Sequence, residues 1–285
     1  MGSSPSRPTQ RSYLPKPWRE MNWGDKQSDL QFVNNFRLQT EDQQLRILLH
    51  GPAGAGKSSF INSVSSVLQG RVTTIAPVNN PAEDGFTKQY TSYRIPKGNE
   101  DHFYPFVLND MMSLRSDSRR TRRAHVKDVK KAMKGNIRDG YTFNPECSLS
   151  KSDERYNGSP DSSDKVHVLV CVIDASSEPL QREDVETLQD IRDDAAELGI
   201  QQVAIFTKID VACSKTKREM KKVFRSKLLY DRVQKFSSQV GIPEQHIFPV
   251  KNYDSEKNVN DEVDALILNA LKRIIEIGTD SLKNR

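Results

Sequence analysis

Leu45-Arg46-Ile47-Leu48-Leu49-His50-Gly51-Pro52-Ala53-Gly54-Ala55-Gly56-Lys57-Ser58-Ser59-Phe60-Ile61-Asn62 is the stretch that decides the fold. A short apolar run over residues 45–49 stops at a glycine-rich turn. The segment 58–68 that follows carries Phe60, Ile61, Val64, Val67 and Leu68 at helical spacing. Strand, tight turn and helix in this order predict the first buried strand of a parallel sheet. The turn, residues 51–58, also matches G-x-x-x-x-G-K-[ST]. Its glycines let the backbone curl and aim several N–H groups at one anion, and the helix N-terminus adds favourable potential. Gly51, Gly54, Ala55, Gly56, Lys57, Ser58 and Ser59 are therefore expected to cradle phosphates. Lys57 reaches the β- and γ-phosphates in this reading, and the Ser58 hydroxyl ligates Mg²⁺.

Working outward, the rest of the chain alternates in the same manner. Strands are predicted over residues 89–95, 103–108, 166–173, 202–206 and 247–250, and helices over 180–198, 215–240 and 261–277. This predicts an α/β fold: a doubly wound, mostly parallel sheet with P-loop NTPase architecture of the Ras-like G-domain kind. Residues 1–17 hold four prolines and no apolar period, and are expected to be a disordered tail. Residues 18–44 read as a lead-in with a short helix within 25–38, and 45–278 as the main domain. A polar insertion falls at about 111–164, its half over 144–164 expected to be mobile, and 279–285 forms a C-terminal tail.

The phosphate turn alone does not choose a base. Thr207-Lys208-Ile209-Asp210 follows a predicted strand and fits the [NT]-K-x-D pattern. A carboxylate there accepts two hydrogen bonds from the N1–H and N2 amino groups of guanine, a donor pair that adenine lacks. Thr207, Lys208 and Asp210 are thus candidate base contacts, and Lys251 and Asn252 lie where a loop backing the base belongs. The expected ligands are GTP and Mg²⁺.

For the metal, Asp110 at the end of the 103–108 strand is the first choice, with Ser58 and Thr87 as companions. Asp174 is the runner-up, otherwise a turn or helix-capping residue. Thr87 is also the candidate switch threonine for the γ-phosphate. Lys57 and Thr87 are the residues expected to act on the transferring phosphate. One departure weakens the step from binding to hydrolysis. GTPases carry D-x-x-G and often a glutamine that orients water, whereas this chain reads Asp110-Met111-Met112-Ser113-Leu114.

Taken together, the run G-P-A-G-A-G-K-S-S-F-I-N-S-V over residues 51–64, the T-K-I-D strand end and the V-K-N-Y loop at 250–253 resemble the interferon-induced protein 44 family. So do Pro17-Trp18-Arg19 and the Tyr-x-Phe-Asn segment ending at Asn144. The resemblance spans roughly residues 17–277. It implies a cytoplasmic, P-loop, GTPase-like protein of the interferon, antiviral or stress response. The family's metal segment is D-T-M-G-L; Asp110, Met112 and Leu114 match it, and Met111 and Ser113 depart. Immunity-related GTPases share a similar G-K-S-S-F-I-N run. The expected function is a GTP/Mg²⁺-binding, slow GTPase or nucleotide-dependent switch. The alternative is a pseudo-GTPase interaction module with little or no hydrolysis.

Other features exclude or bound. Net charge is +5 in 285 residues, too small an excess to require a nucleic-acid partner. Residues 115–138 concentrate ten basic side chains against Asp117 and Asp128. They read as a solvated, mobile helix rather than an RNA or acidic-lipid contact, with a phosphate-directed arginine as a third reading. Protein partners or self-association are expected through the loops flanking the phosphate site. The histidines at 50, 102, 125, 167 and 246 are scattered, so a zinc site is not expected and each reads as a surface or strand-end residue. Cys171 reads as a core residue, and the cysteine usage fits a reducing cytosol. No run is apolar and long enough to span a membrane. The start Met1-Gly2-Ser3-Ser4-Pro5-Ser6 fits a loose N-myristoylation pattern and equally a vector leader.

Overall fold

The computed structural model describes residues 13–39, 43–78 and 89–283. The N-terminal Met1-Gly2 pattern and Thr87 lie outside the described residues. In chain order the elements are α1 (Lys26–Asn35), β1 (Leu45–His50), α2 (Lys57–Gln69), β2 (Thr91–Lys97), β3 (Asn99–Asp110), α3 (Arg119–Met133) and β4 (Val168–Asp174). Then come α4 (Arg182–Glu197), β5 (Gln201–Thr207), α5 (Ile209–Ala212), α6 (Ser214–Arg218), a 3₁₀ turn (Met220–Arg225), α7 (Lys227–Val240), β6 (Ile247–Pro249) and α8 (Asp261–Lys283).

The six strands form one sheet in the order β2-β3-β1-β4-β5-β6. All neighbours pair in parallel except β2 and β3, which are antiparallel. β1 and β4 are buried on both faces, which explains their unbroken apolar runs. One face is covered by α2 and α8, with α1 packed on α8; α4 runs between α3 and α7 on the other. The α/β, mostly parallel P-loop architecture expected from the alternation is the one observed.

Several expectations are corrected. The strand expected over 89–95 lies two residues later, and that expected over 103–108 runs from Asn99 to Asp110. The two form a hairpin turning at Gly98, whose φ of 70° takes the left-handed conformation the turn needs. The single helix expected over 215–240 is three pieces. A new N-cap explains the last break, because the Ser226 hydroxyl accepts from the Leu229 N–H at 3.3 Å to start α7. The last helix continues to Lys283, into the stretch expected to be a tail. Residues 13–17 also pack: Leu14 N–H bonds the Arg225 carbonyl, and Tyr13 bridges Ser226. Trp18 lies edge-on to Phe224, and Arg19 donates to the carbonyls of Ile247 and Glu244.

The polar insertion is tied down rather than loose. Asp128 of α3 is buried, and its carboxylate accepts from the Ser148 hydroxyl and the Leu149 N–H at 2.7 and 2.8 Å. Ile137 bridges Tyr156, and Arg138 N–H bonds the Arg155 carbonyl. The same insertion reaches β2. Tyr90 N–H donates to the Tyr141 carbonyl, Gly140 N–H donates to the Tyr90 carbonyl, and Ser92 N–H donates to Asp139. The basic helix is not uniformly solvated either. Arg122 pairs with Glu186 and Asp190, and Lys130 with Asp194 and Glu197, all on α4. Arg119, Arg120 and Arg123 remain exposed.

Candidate functional site

Parallel register brings the chemistry to one edge. Leu49 of β1 lies beside Asp110 of β3, and Asp174 of β4 beside Thr207 of β5. The carboxyl ends of β1, β3, β4 and β5 therefore meet where the 51–57 loop enters α2, the crevice in which open α/β sheets take their ligands.

The loop is built around glycines that nothing else replaces. Gly51 has φ of 140°, and a Cβ there would collide with the Val172 carbonyl. Gly56 caps α2 at φ of 89°, and its Cβ would come within 2.9 Å of the Asn252 amide nitrogen. Lys57 is buried, and its ammonium donates to the Gly51 and Pro52 carbonyls, both at 3.1 Å, and to the Ser113 hydroxyl at 3.2 Å. Burial pulls its pKa below the ordinary lysine value, against the attraction of Asp110. Ser59 lies in the first turn of α2, half-buried.

Ser58 Oγ donates to Asp110 Oδ2 at 2.6 Å. The other carboxylate oxygen, Oδ1, is buried with no hydrogen-bond partner among the described residues. Burial raises the Asp110 pKa, opposed by Lys57 and by the Ser58 and Met111 hydrogen bonds. A hydroxyl and a carboxylate oxygen side by side, with one orphaned oxygen, fit a hard divalent cation at this point. The runner-up Asp174 is otherwise engaged: it accepts from the Ser176 N–H at 2.7 Å and pairs with Lys208 Nζ at 2.8 Å. Burial opposes its ionisation, but the Lys208 and Ser176 bonds outweigh burial and lower its pKa.

The base-side residues converge on the same loop. Thr207 is fully buried, and its hydroxyl donates to the Ala55 carbonyl at 2.6 Å. Its side chain therefore faces the phosphate loop. Lys208, at φ of 53°, has the only positive φ outside glycine among the described residues, and Asp210 follows in the first turn of α5, half-buried. Asn252 donates to the Gly56 carbonyl at 3.1 Å, and its amide oxygen is buried without a partner among the described residues. Lys251 pairs with Glu256. The loop is anchored by the Tyr253 N–H on Ser63 Oγ and by the Tyr253 hydroxyl on Asp264 at 2.6 Å.

Two features escaped the sequence reading. Ser113 touches Lys57 through its side chain, and the Leu114 N–H bonds the Gly51 carbonyl at 2.9 Å. Both belong to the segment where the expected glycine is missing, which is the signal that marked it. Behind the loop sit His50 and His125, both buried, with pKa values pushed down to about 3, chiefly by desolvation. Neither His125 nitrogen has a hydrogen-bond partner among the described residues, so the expectation that it is a surface or strand-end residue is wrong. His167 is likewise buried, at the entrance of β4, where its Nδ1 accepts from the Arg46 N–H. Cys171 is a core residue as expected, its thiol pushed up to about 12 by burial. No group of three or more metal-ligating His, Cys, Asp or Glu side chains occurs among the described residues.

Human interferon-induced protein 44 is 35% identical over 243 residues, which is 85% of this chain and 54% of that protein. Human interferon-induced protein 44-like is 31% identical over 242 residues, again 85% of this chain and 53% of that protein. The chain is a homologue of both. It spans about half the length of these curated relatives. No protein-family model matches it. Among solved structures, a dimerization-deficient mutant of Toc33 from Arabidopsis thaliana superposes with a TM-score of 0.53 at 14% identity. The match covers 90% of this chain and 92% of that one. It establishes a P-loop, GTPase-like fold. No described helix is long and apolar enough to cross a membrane.

Proposed function

We propose that the chain binds GTP with Mg²⁺ at the carboxyl edge of its sheet and works as a slow GTPase or nucleotide-dependent switch. The observation that carries this is the convergence on one loop of Lys57, the Ser58–Asp110 pair and Thr207. Gly51, Gly54, Ala55, Gly56, Lys57, Ser58 and Ser59 take the phosphates. Lys208, Asp210, Lys251 and Asn252 take the base, with Thr207 holding the two halves together. Ser58, Asp110 and Thr87 hold the metal, which, when bound, offsets charge on the phosphate oxygens. The homology to interferon-induced proteins supports a role in the interferon and antiviral response, in the cytoplasm.

Partners are expected at the segments over residues 71–88 and 111–140, which the sequence marks as the ones that order on the γ-phosphate. Dimerization named for the Toc33 neighbour favours a second copy of the chain as one of them. Titration with GTP and ATP tests the assignment. GTP is expected to bind at least about tenfold tighter, and Lys57→Ala to abolish binding. Equal affinities defeat the guanine reading.

A second reading has its own support. The Leu114 N–H is spent on the Gly51 carbonyl, and no glutamine follows Ser113. This favours a module that binds nucleotide without turning it over. Single-turnover hydrolysis separates the two: a rate that Lys57→Ala removes identifies the enzyme.

A further inference from the structure

The Lys57 ammonium has three protons and three partners: the Gly51 carbonyl, the Pro52 carbonyl and the Ser113 hydroxyl. A phosphate that arrives at Lys57 must take the place of one of them. Both carbonyls can only accept, so neither has a proton to offer an anion. The Ser113 hydroxyl can turn round, releasing Lys57 and donating to the phosphate oxygen. Among the described residues its own proton has no acceptor, and the residue is 5% exposed, so the donor is held close at hand in a dry place.

Sheet order says which phosphate this is. The base-side residues follow β5 and β6, whereas Ser113 follows β3, on the far side of β1. A nucleotide with its base at the β5–β6 end lays its phosphates toward β3 and reaches Ser113 last. The segment is anchored at both sides of Ser113, by buried Met111 and Met112 and by the Leu114–Gly51 bond. The hydroxyl is thereby positioned rather than free to wander.

We propose that the Ser113 side chain reads the terminal phosphate and so discriminates nucleoside triphosphate from diphosphate, in place of the glycine N–H that the D-x-x-G pattern supplies. This rests on the reading of the site as a guanine-nucleotide site. The test measures affinities of the full chain for GDP and for a non-hydrolysable GTP analogue, with Mg²⁺, in the wild type and in Ser113→Ala, Ser113→Thr and Ser113→Gly.

Loss of a hydrogen bond to a charged phosphate in Ser113→Ala lowers analogue affinity about tenfold or more. GDP affinity stays within about twofold, which also reports that the variant is folded. Ser113→Thr keeps the wild-type preference, and Ser113→Gly loses it as Ala does. If Ser113→Gly keeps the preference, the backbone reads the phosphate and the proposal is overturned. It is also overturned if Ser113→Ala weakens both ligands equally or neither. A wild type that binds neither nucleotide overturns the nucleotide reading itself, and this proposal with it.

Discussion

The Thr207 hydroxyl donates to the Ala55 carbonyl at 2.6 Å, joining the end of β5 to the phosphate loop across 152 positions of sequence. The donor is fully buried, so the bond has no water to replace it. Thr207→Val is isosteric but leaves the Ala55 carbonyl without this partner. It is expected to cost about 1–3 kcal/mol of stability and to weaken nucleotide binding. Thr207→Ser, which keeps the donor, is expected to recover most of both. Urea unfolding and nucleotide titration of the two variants check this.

Two glycines of the phosphate loop are expected to behave differently although both have positive φ. A Cβ on Gly51 strikes the Val172 carbonyl, a backbone atom of the central sheet that cannot move aside. A Cβ on Gly54 meets nothing within 4 Å. Gly54→Ala is thus expected to cost only the left-handed backbone penalty, about 1–2 kcal/mol. Gly51→Ala is expected to cost at least ~3 kcal/mol. Thermal melts that rank the two the other way contradict the loop geometry.

Acid is expected to destabilise the protein through His50 and His125. Both stay neutral in the fold down to about 3, held there by burial and by Lys57, with Arg115 acting on His125 and His125 on His50. In the unfolded chain they take up protons below about 6.5. Between those values the unfolded state binds more protons, so stability falls as pH falls through the window. From about pH 7.5 to 5.5 the two together account for roughly 2–3 kcal/mol. His125→Leu removes a ring with two unpartnered nitrogens; it is expected to be neutral or stabilising at pH 7.5 and to halve the acid loss. Denaturant midpoints at the two pH values give the answer.

The α3–α4 contact is expected to be weak and salt-sensitive. Arg122, Glu186 and Asp190 are all partly exposed, so Arg122→Ala should cost about 0.5–1 kcal/mol at low salt. Near 1 M salt, where the screening length is about 3 Å, most of that difference should vanish. A cost that survives high salt points instead to packing by the arginine stem.

What the sequence made legible was local. The strand, loop and helix over residues 45–68 are contiguous, so apolar period and glycine spacing were enough to place Lys57 and Ser58. Asp110 was reachable because chain order and strand end coincide. The Thr207–Ala55 bond, the Asn252 amide on Gly56 and the Lys208–Asp174 pair were hidden, because each joins residues far apart in sequence. The β2–β3 hairpin had a signal in Gly98-Asn99, but Pro96 within the run masked the strand's extent. The break before α7 was invisible to periodicity, since Val223 and Phe224 continue the apolar pattern into Leu229 and Val233 while the backbone changes to a 3₁₀ turn. His125, buried inside α3, was misplaced for a simpler reason: polarity predicts exposure only on average.

The insertion after α3 holds that helix through Asp128 and grips the start of β2 through Tyr141, Gly140 and Asp139. The two attachments meet in one buried cluster that holds Tyr90, Val129 and Tyr141, and the Tyr141 hydroxyl faces Asp128 at 3.5 Å. The insertion is therefore a yoke: displacing α3 loads the Tyr90 bonds, and pulling on Tyr90 loads Asp128. A force delivered to α3 is thereby passed to the start of β2 through the insertion, with no direct contact between the two elements required.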